Sequence, residues 1–149
     1  MNIYHRILTI LLFVLIGVSH MIGQEIDLEN FKWKQRVVLI LLPSGEGEHY
    51  KNQVNAFSNS IEDLKDRRLL IFDVQKDRYR LLNDNSSWII SDSIYKDYNS
   101  DSDEFRIILI GLDGGEKLNK TKPVEKSELY DLIDSMPMRK SELRNKRKP

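Results

Sequence analysis

The segment Phe105-Arg-Ile-Ile-Leu-Ile-Gly-Leu-Asp-Gly-Gly-Glu-Lys-Leu118, followed by Glu128-Leu-Tyr-Asp-Leu-Ile-Asp-Ser-Met-Pro-Met-Arg139, constrains the fold more than any other part of the chain. Ile107 to Ile110 is continuously apolar, so a strand over Arg106–Ile110 has to be covered on both faces. Asp113-Gly-Gly115 is a hairpin signal. Glu116 to Lys120 is polar and alternating, which predicts an edge strand. Leu129, Leu132, Ile133 and Met136 then share one face of a helix. That helix stops at Met136, because the residue before a proline is pushed out of the helical region. The segment therefore closes the fold as a ββα unit.

The preceding residues supply the other layers. Phe31 and Trp33 alternate as on a short half-buried strand. Val37 to Leu42 is an unbroken apolar run ended by Pro43-Ser-Gly45. Tyr50, Val54, Phe57, Ile61 and Leu64 recur at steps of four and three, which predicts one helix of about four turns. Arg68 to Val74 is a second buried strand. A strand–helix–strand order makes a right-handed parallel unit the default. Tyr79–Leu82 and Trp88–Ile90 can pair around Asn83-Asp-Asn85, and Asp92–Tyr98 suits a short helix. The assembled order is β-α-β-α-β-β-α, an α/β fold. Its expected form is a four-stranded mixed sheet with helices on both faces, Val37 and Ile107 on neighbouring central strands and Glu116 at an edge. This is a thioredoxin-like arrangement.

The residues also resemble a known family. Leu132-Ile-Asp-Ser-Met-Pro-Met-Arg139, with the Gly-x-Asp-Gly-Gly turn at Gly111 to Gly115, is similar to the C-terminal half of domain of unknown function 4174, also called P-DUDES. Trp33-Lys-Gln-Arg-Val-Val, Tyr50 with Gln53, and Asp66-Arg-Arg-Leu fit its N-terminal half. The resemblance runs from Phe31 to Arg144. It implies a thioredoxin-like fold distantly similar to peroxiredoxins. It also implies a setting among exported bacterial proteins and animal extracellular-matrix proteins, some with sushi repeats and some linked to adhesion. It implies no defined biochemical activity.

The N-terminus has the anatomy of an export signal. Arg6 is a positive lead, Ile7 to Val18 is almost wholly apolar, and small residues precede Gln24. The apolar run is shorter than the ~20 residues of a membrane span. No cysteine follows it, which excludes a lipoprotein anchor. The expected organisation is a signal peptide over 1–23, a thioredoxin-like domain over 24–138 and a basic C-terminal tail over 139–149. The protein is then periplasmic or secreted.

Several chemistries are excluded or weak. The chain contains no cysteine, and in thiol redox catalysis the working group is a thiolate. Pro43-Ser-Gly-Glu-Gly-Glu-His49 occupies the stretch between first core strand and first long helix, where redox members carry Cys-x-x-Cys. Ser44, Glu46 and His49 are triad residue types, but no nucleophile elbow accompanies them. A single histidine beyond the leader argues against zinc. Asp97-x-Asn99-x-Asp101-x-Asp103 resembles the start of a calcium loop. It has Ser102 where glycine is required and Ile108 where the bidentate glutamate is required. Asn85-Ser-Ser87 and Asn119-Lys-Thr121 fit the glycosylation sequon. No catalytic residue, metal ligand or cofactor is assigned.

Charge is unevenly placed. Residues 139–149 carry six Lys or Arg against Glu142, while residues 24–138 hold sixteen Lys or Arg against twenty-two Asp or Glu. Arg139, Lys140, Arg144, Lys146, Arg147 and Lys148 are therefore the candidate partner-binding residues. The expected partner is an anionic envelope polysaccharide, a lipid head group or a protein. Nucleic acid is not expected, since no aromatic residues interleave with the cations. The function expected from this pattern is an exported, non-catalytic binding or adhesion module without thiol redox activity. The alternative is an enzyme with a cysteine-free site on the Pro43–His49 and Gln75–Asp77 loops, where α/β ligands tend to sit. The leader reading has a direct check. N-terminal sequencing of protein recovered outside the cytoplasm should begin near Gln24, and an intact Met1 in a cytosolic fraction would overturn export.

Overall fold

The computed structural model describes residues 25–58, 61–84, 86–100, 102 and 104–146. The expected leader over 1–23 lies outside these residues. The central strand β1 (Arg36–Leu41) is buried at every position. It pairs in parallel with β2 (Leu69–Gln75) on one side and antiparallel with β5 (Arg106–Ile110) on the other. The two long apolar runs are thus neighbours, as their composition demands. β6 (Glu116–Lys120) closes one edge against β5, and β3 (Arg78–Leu81) continues the sheet beyond β2. β4 (Ile89–Ile90) lies outermost, so the order is β4-β3-β2-β1-β5-β6. The sheet has six strands, not the expected four. The two extra strands are the pair around Asn83, which extend the sheet instead of forming a separate hairpin. Asn83 holds the junction: its side chain accepts from Ile71 N and donates to Leu69 O, both at 2.8 Å.

Alternation along β1 divides the core in two. Val38 and Ile40 face one layer, where Phe57 and Leu64 pack with Leu129 and Ile133. These come from helices α1 (Glu48–Ser58), α2 (Ile61–Asp66) and α4 (Lys126–Ser135). Val37, Leu39 and Leu41 face the other layer, covered by Ile94 and Tyr95 of α3 (Ser93–Asn99) and by Ile26, Leu28 and Phe31. Helices therefore lie on both faces, and the edge and central strands sit where the polarity pattern put them. Two local expectations are corrected. The single long helix after β1 is two helices, although Phe57 and Leu64 still share one core. Phe31 and Trp33 are not on a strand. Leu28–Phe31 is a 3-10 helix capped by the Asp27 side chain, which accepts from Glu29 N at 2.9 Å. Trp33 follows at φ 64° with its side chain exposed.

The C-terminus departs most from expectation. Met136 leaves the helical region (ψ 142°) and ends α4, but Pro137 then opens α5 (Pro137–Lys146). Proline suits a first helical position, because its missing N–H is not needed there. Residue 139 thus lies inside a helix, and two of the segment's cations, Arg139 and Lys146, are paired with carboxylates. Arg139 is 1% exposed. Its Nε donates to Asp134 at 2.9 Å, its Nη1 donates to Asp66 O at 2.6 Å, and its Nη2 pairs with the Asp66 carboxylate. Lys146 pairs with the same carboxylate. Glu142 accepts from Arg36 at 3.2 and 3.3 Å and lies 3.6 Å from both Arg68 and Arg139. Arg67 meets Asp134 at 2.7 Å.

This network makes α5 docking sensitive to acid. Lys146 first, then Arg139, hold the Asp66 carboxyl down at about 2. A folded-state value below the unfolded one, ~3.9 for Asp, gives stability that is complete above pH ~4 and lost as pH falls toward 2. Thermal melts between pH 4 and pH 2 should show the midpoint falling in wild type. The fall should be clearly shallower in Asp66→Asn, which lacks the titrating group; equal slopes would remove Asp66 from the account.

Candidate functional site

The residues most able to do chemistry gather at the carboxyl ends of β1 and β2, beneath the Pro43–Gly47 loop. The loop follows β1, and Lys76 N reaches back to Pro43 O at 3.4 Å. Gly45 lies directly on Gln75, with φ 63°. A Cβ there would stand 2.0 Å from Gln75 Nε2 and displace that side chain, and the positive φ favours glycine. The loop is therefore a lid seated on the polar end of β2.

Under it lies Asp73, fully buried on a strand otherwise apolar from Leu69 to Val74. Its carboxylate receives the Tyr50 hydroxyl on one oxygen and Arg80 Nε at 2.9 Å on the other. Gln75 Nε2 donates to the Tyr50 oxygen at 3.4 Å, and Arg78 Nε donates to Gln75 Oε1 at 2.8 Å. The β2–β3 register sets these pairs, placing Asp73 opposite Arg80 and Gln75 opposite Arg78. Burial raises the Tyr50 hydroxyl well above its ordinary value, and the Asp73 hydrogen bond adds to it. Tyr50 is therefore a proton donor, not a phenolate. Burial also raises Asp73, against the opposing pull of Tyr50 and Arg80.

The outer edge of this chain of hydrogen bonds is cationic and aromatic. The Arg78 and Arg80 guanidinium carbons stand 4.7 and 4.5 Å from the Trp88 ring centroid. Each arginine commits its Nε inward, while its terminal nitrogens make no hydrogen bond among the described residues. Both side chains are at least a third exposed. The result is two guanidiniums no more than about 9 Å apart, held by one ring and open to water.

The residues singled out by sequence fare unequally. Ser44, Glu46 and His49 are all exposed, and no hydrogen bond or ion pair joins His49 to the other two. Asp97 lies on α3, Asp101 and Asp103 are outside the described residues, and no three acidic or histidine groups among the described residues are placed to hold a metal. Of the expected partner-binding cations, Arg139 is internal and Lys146 is paired with Asp66. Lys140 and Arg144 are exposed, with Arg144 donating to Ser141 at 2.8 Å. Arg147 and Lys148 lie outside the described residues. Three cavities, of about 340, 480 and 360 Å³, open at the β5–β6 hairpin, beside α3 and on α5. None of these three is lined by Pro43–His49 or Gln75–Asp77. The Tyr50–Asp73–Arg80 group was not singled out from sequence, although a lone carboxylate inside an apolar strand, followed by Arg78-x-Arg80, is a legible signal.

A protein family described as Domain of unknown function (DUF4174) matches residues 27–142. The chain belongs to this family. No functionally curated protein matches the DUF4174 chain. Among solved structures it is similar to the reduced Plasmodium vivax 2-Cys peroxiredoxin, at 18% identity and TM-score 0.57, over 78% of this chain and 72% of that one. It is also similar to Plasmodium yoelii thioredoxin peroxidase I, at 16% identity and TM-score 0.55, over 78% and 80%. These likenesses establish the thioredoxin-like fold. They carry no chemistry across, since the DUF4174 chain has no cysteine.

Removing one partner from the buried pair provides a test of the site's electrostatics. Arg80→Ala leaves Asp73 uncompensated and should cost on the order of 3 kcal/mol near neutral pH, since Arg80 itself is partly solvated. A carboxyl raised in the folded state is most stabilising when protonated, and that stability is lost as pH rises through its folded value. The Arg80→Ala penalty, measured by denaturant melts, should therefore grow from pH 4 to pH 8. A penalty independent of pH would mean that packing, not the Asp73 charge, sets it.

Proposed function

We propose that this DUF4174 chain is an exported, non-catalytic binding module of the cell envelope or exterior, without thiol redox activity, and that its partner presents clustered anionic groups. The observation that carries this reading is the division of labour at Asp73. The interior groups are closed off under the loop, while Arg78 and Arg80 turn their free nitrogens outward on Trp88. Guanidinium forks match carboxylate, sulfate and phosphate geometry. Anchoring on Asp73, Gln75 and Trp88 lowers the entropy lost when such a group is bound. An enzyme at the Pro43–His49 and Gln75–Asp77 loops needs an open cavity there, and Gly45 packed on Gln75 argues against one. The exposed cations Lys140 and Arg144 on α5 form a second, weaker candidate surface. Export rests on the leader read from the sequence.

A soluble polyuronate is the first probe, with neutral dextran as control. Affinity for the polyuronate should fall steeply as salt rises above 0.1 M, where exposed charges are screened beyond about 10 Å. Arg78→Ala with Trp88→Ala should weaken it by about tenfold, the loss of one anchored charge-assisted contact. If Lys140→Ala with Arg144→Ala weakens it instead, the surface moves to α5. Equal affinity for dextran, or binding indifferent to salt and to both pairs, refutes an anionic partner.

A further inference from the structure

We propose that the cavity between the β5–β6 hairpin and the start of α5 binds a small amphiphilic carboxylate, held by the buried Arg36. This site is independent of the Arg78–Trp88 surface and lies at the other end of β2. The cavity is about 340 Å³, at the lower end of the range for small-molecule sites. Its lining combines Leu112, Met136, Pro137 and Met138 with Arg36 and the exposed Lys117. Two segments singled out in the sequence, the Gly111–Gly115 turn and Met136-Pro-Met138, meet here around one charged side chain.

Arg36 supplies the recognition. It is 1% exposed. Its terminal nitrogens are committed to Glu142 and to Arg67 O, the latter at 2.7 Å. Its Nε is buried and has no hydrogen-bond partner. A buried donor left unmade is costly, so an incoming acceptor gains what the protein alone leaves unsatisfied. The surroundings favour a negative acceptor. Around Arg36 the ion network joins Arg67, Arg68, Arg139 and Lys146 to only three carboxylates, Asp66, Asp134 and Glu142. Lys117 and Asp113 cancel each other at 2.7 Å. The excess positive charge draws an anion, and the apolar lining takes the body attached to it. Nε is shut from solvent, so an acceptor would reach it only as Met136 and Met138, which line the same cavity, re-pack. Met138 is 43% exposed, and an unbranched thioether re-packs readily.

Octanoate is the probe, with octanol, octylammonium and acetate as controls, followed by methyl NMR of Leu112, Met136 and Met138. Octanoate should shift these methyls saturably and bind about tenfold or more tighter than octanol, the weight of one hydrogen bond to a charged group. Octylammonium should bind more weakly still, and acetate should not saturate. Met138→Asp, at an exposed position, should lower octanoate affinity by about tenfold or more through like-charge repulsion without lowering the melting temperature. Arg36→Lys keeps the charge and removes Nε, and should bring octanoate down to the level of octanol. Should that variant fail to fold, the Met138→Asp result decides. Equal affinity for octanoate, octanol and octylammonium would reduce the cavity to an apolar crevice, and shifts confined to other methyls, or none at all, would overturn the site.

Discussion

Everything in this fold follows from one strand that touches no water. β1 is hydrogen-bonded on both edges and buried on both faces. A strand with two buried faces cannot exist in a two-layer domain, so helices must be supplied to each side. The parallel partner β2 demands a crossover, which α1 and α2 provide, and right-handed crossover puts both on the Val38–Ile40 face. The opposite face is then left to α3 and the 3-10 turn before β1. With no cross-link in the chain, this arrangement rests on apolar burial alone in the middle of the sheet.

The two ends of the sheet handle charge differently. At the amino end of β1 and β2, arginines do the structural work. Arg36 and Arg139, each 1% exposed, tie α5 to the β1 start and to the α2–β2 turn. Buried ion pairs of this kind seldom add much net stability, because desolvation offsets their attraction. Their effect is to specify one docking of α5, since any other arrangement strands a buried guanidinium. At the carboxyl end the buried charge is instead a carboxylate, Asp73, and the arginines face outward. Opposite polarity at the two ends explains why one end presents guanidiniums to water while the other has an inward-held guanidinium beside a cavity.

Much of this was legible in the sequence, for physical reasons. The runs at Val37 and Ile107 could only be central, and the polar alternation at Glu116 could only be an edge, because burial and polarity decide those positions directly. Pro137 marked a helix end for a steric reason that holds in the fold, yet the same residue also begins α5. Composition cannot separate a solvated basic tail from a helix whose cations are paired, because pairing depends on carboxylates at Asp66 and Asp134, far off or across a break in sequence. The six-stranded sheet was missed for a similar reason. The pairing segments Tyr79–Leu82 and Trp88–Ile90 could be read, but their joining to β2 depends on the β2–β3 register and on Asn83, which no periodicity encodes. The Asp73 carboxylate was legible as a lone charge in an apolar strand, but not its partners, since Arg80 reaches it through the β2–β3 register and Tyr50 from α1.

A thioredoxin-like frame places the loop after its first core strand over the carboxyl ends of the parallel pair. A reactive group in that position has to be partly exposed and able to change its charge. Here the position is built for the reverse. Gly45 seats the loop on Gln75, Gln75 holds Tyr50, and Tyr50 holds Asp73, so each group fixes the next. Burial raises both acidic groups, and none of the three cavities described above is lined by either of them. The same chain of contacts leaves the terminal nitrogens of Arg78 and Arg80 without a hydrogen bond among the described residues. The chain has no cysteine to place there, and the groups fixed under the loop instead hold Arg78 and Arg80 beside the Trp88 ring.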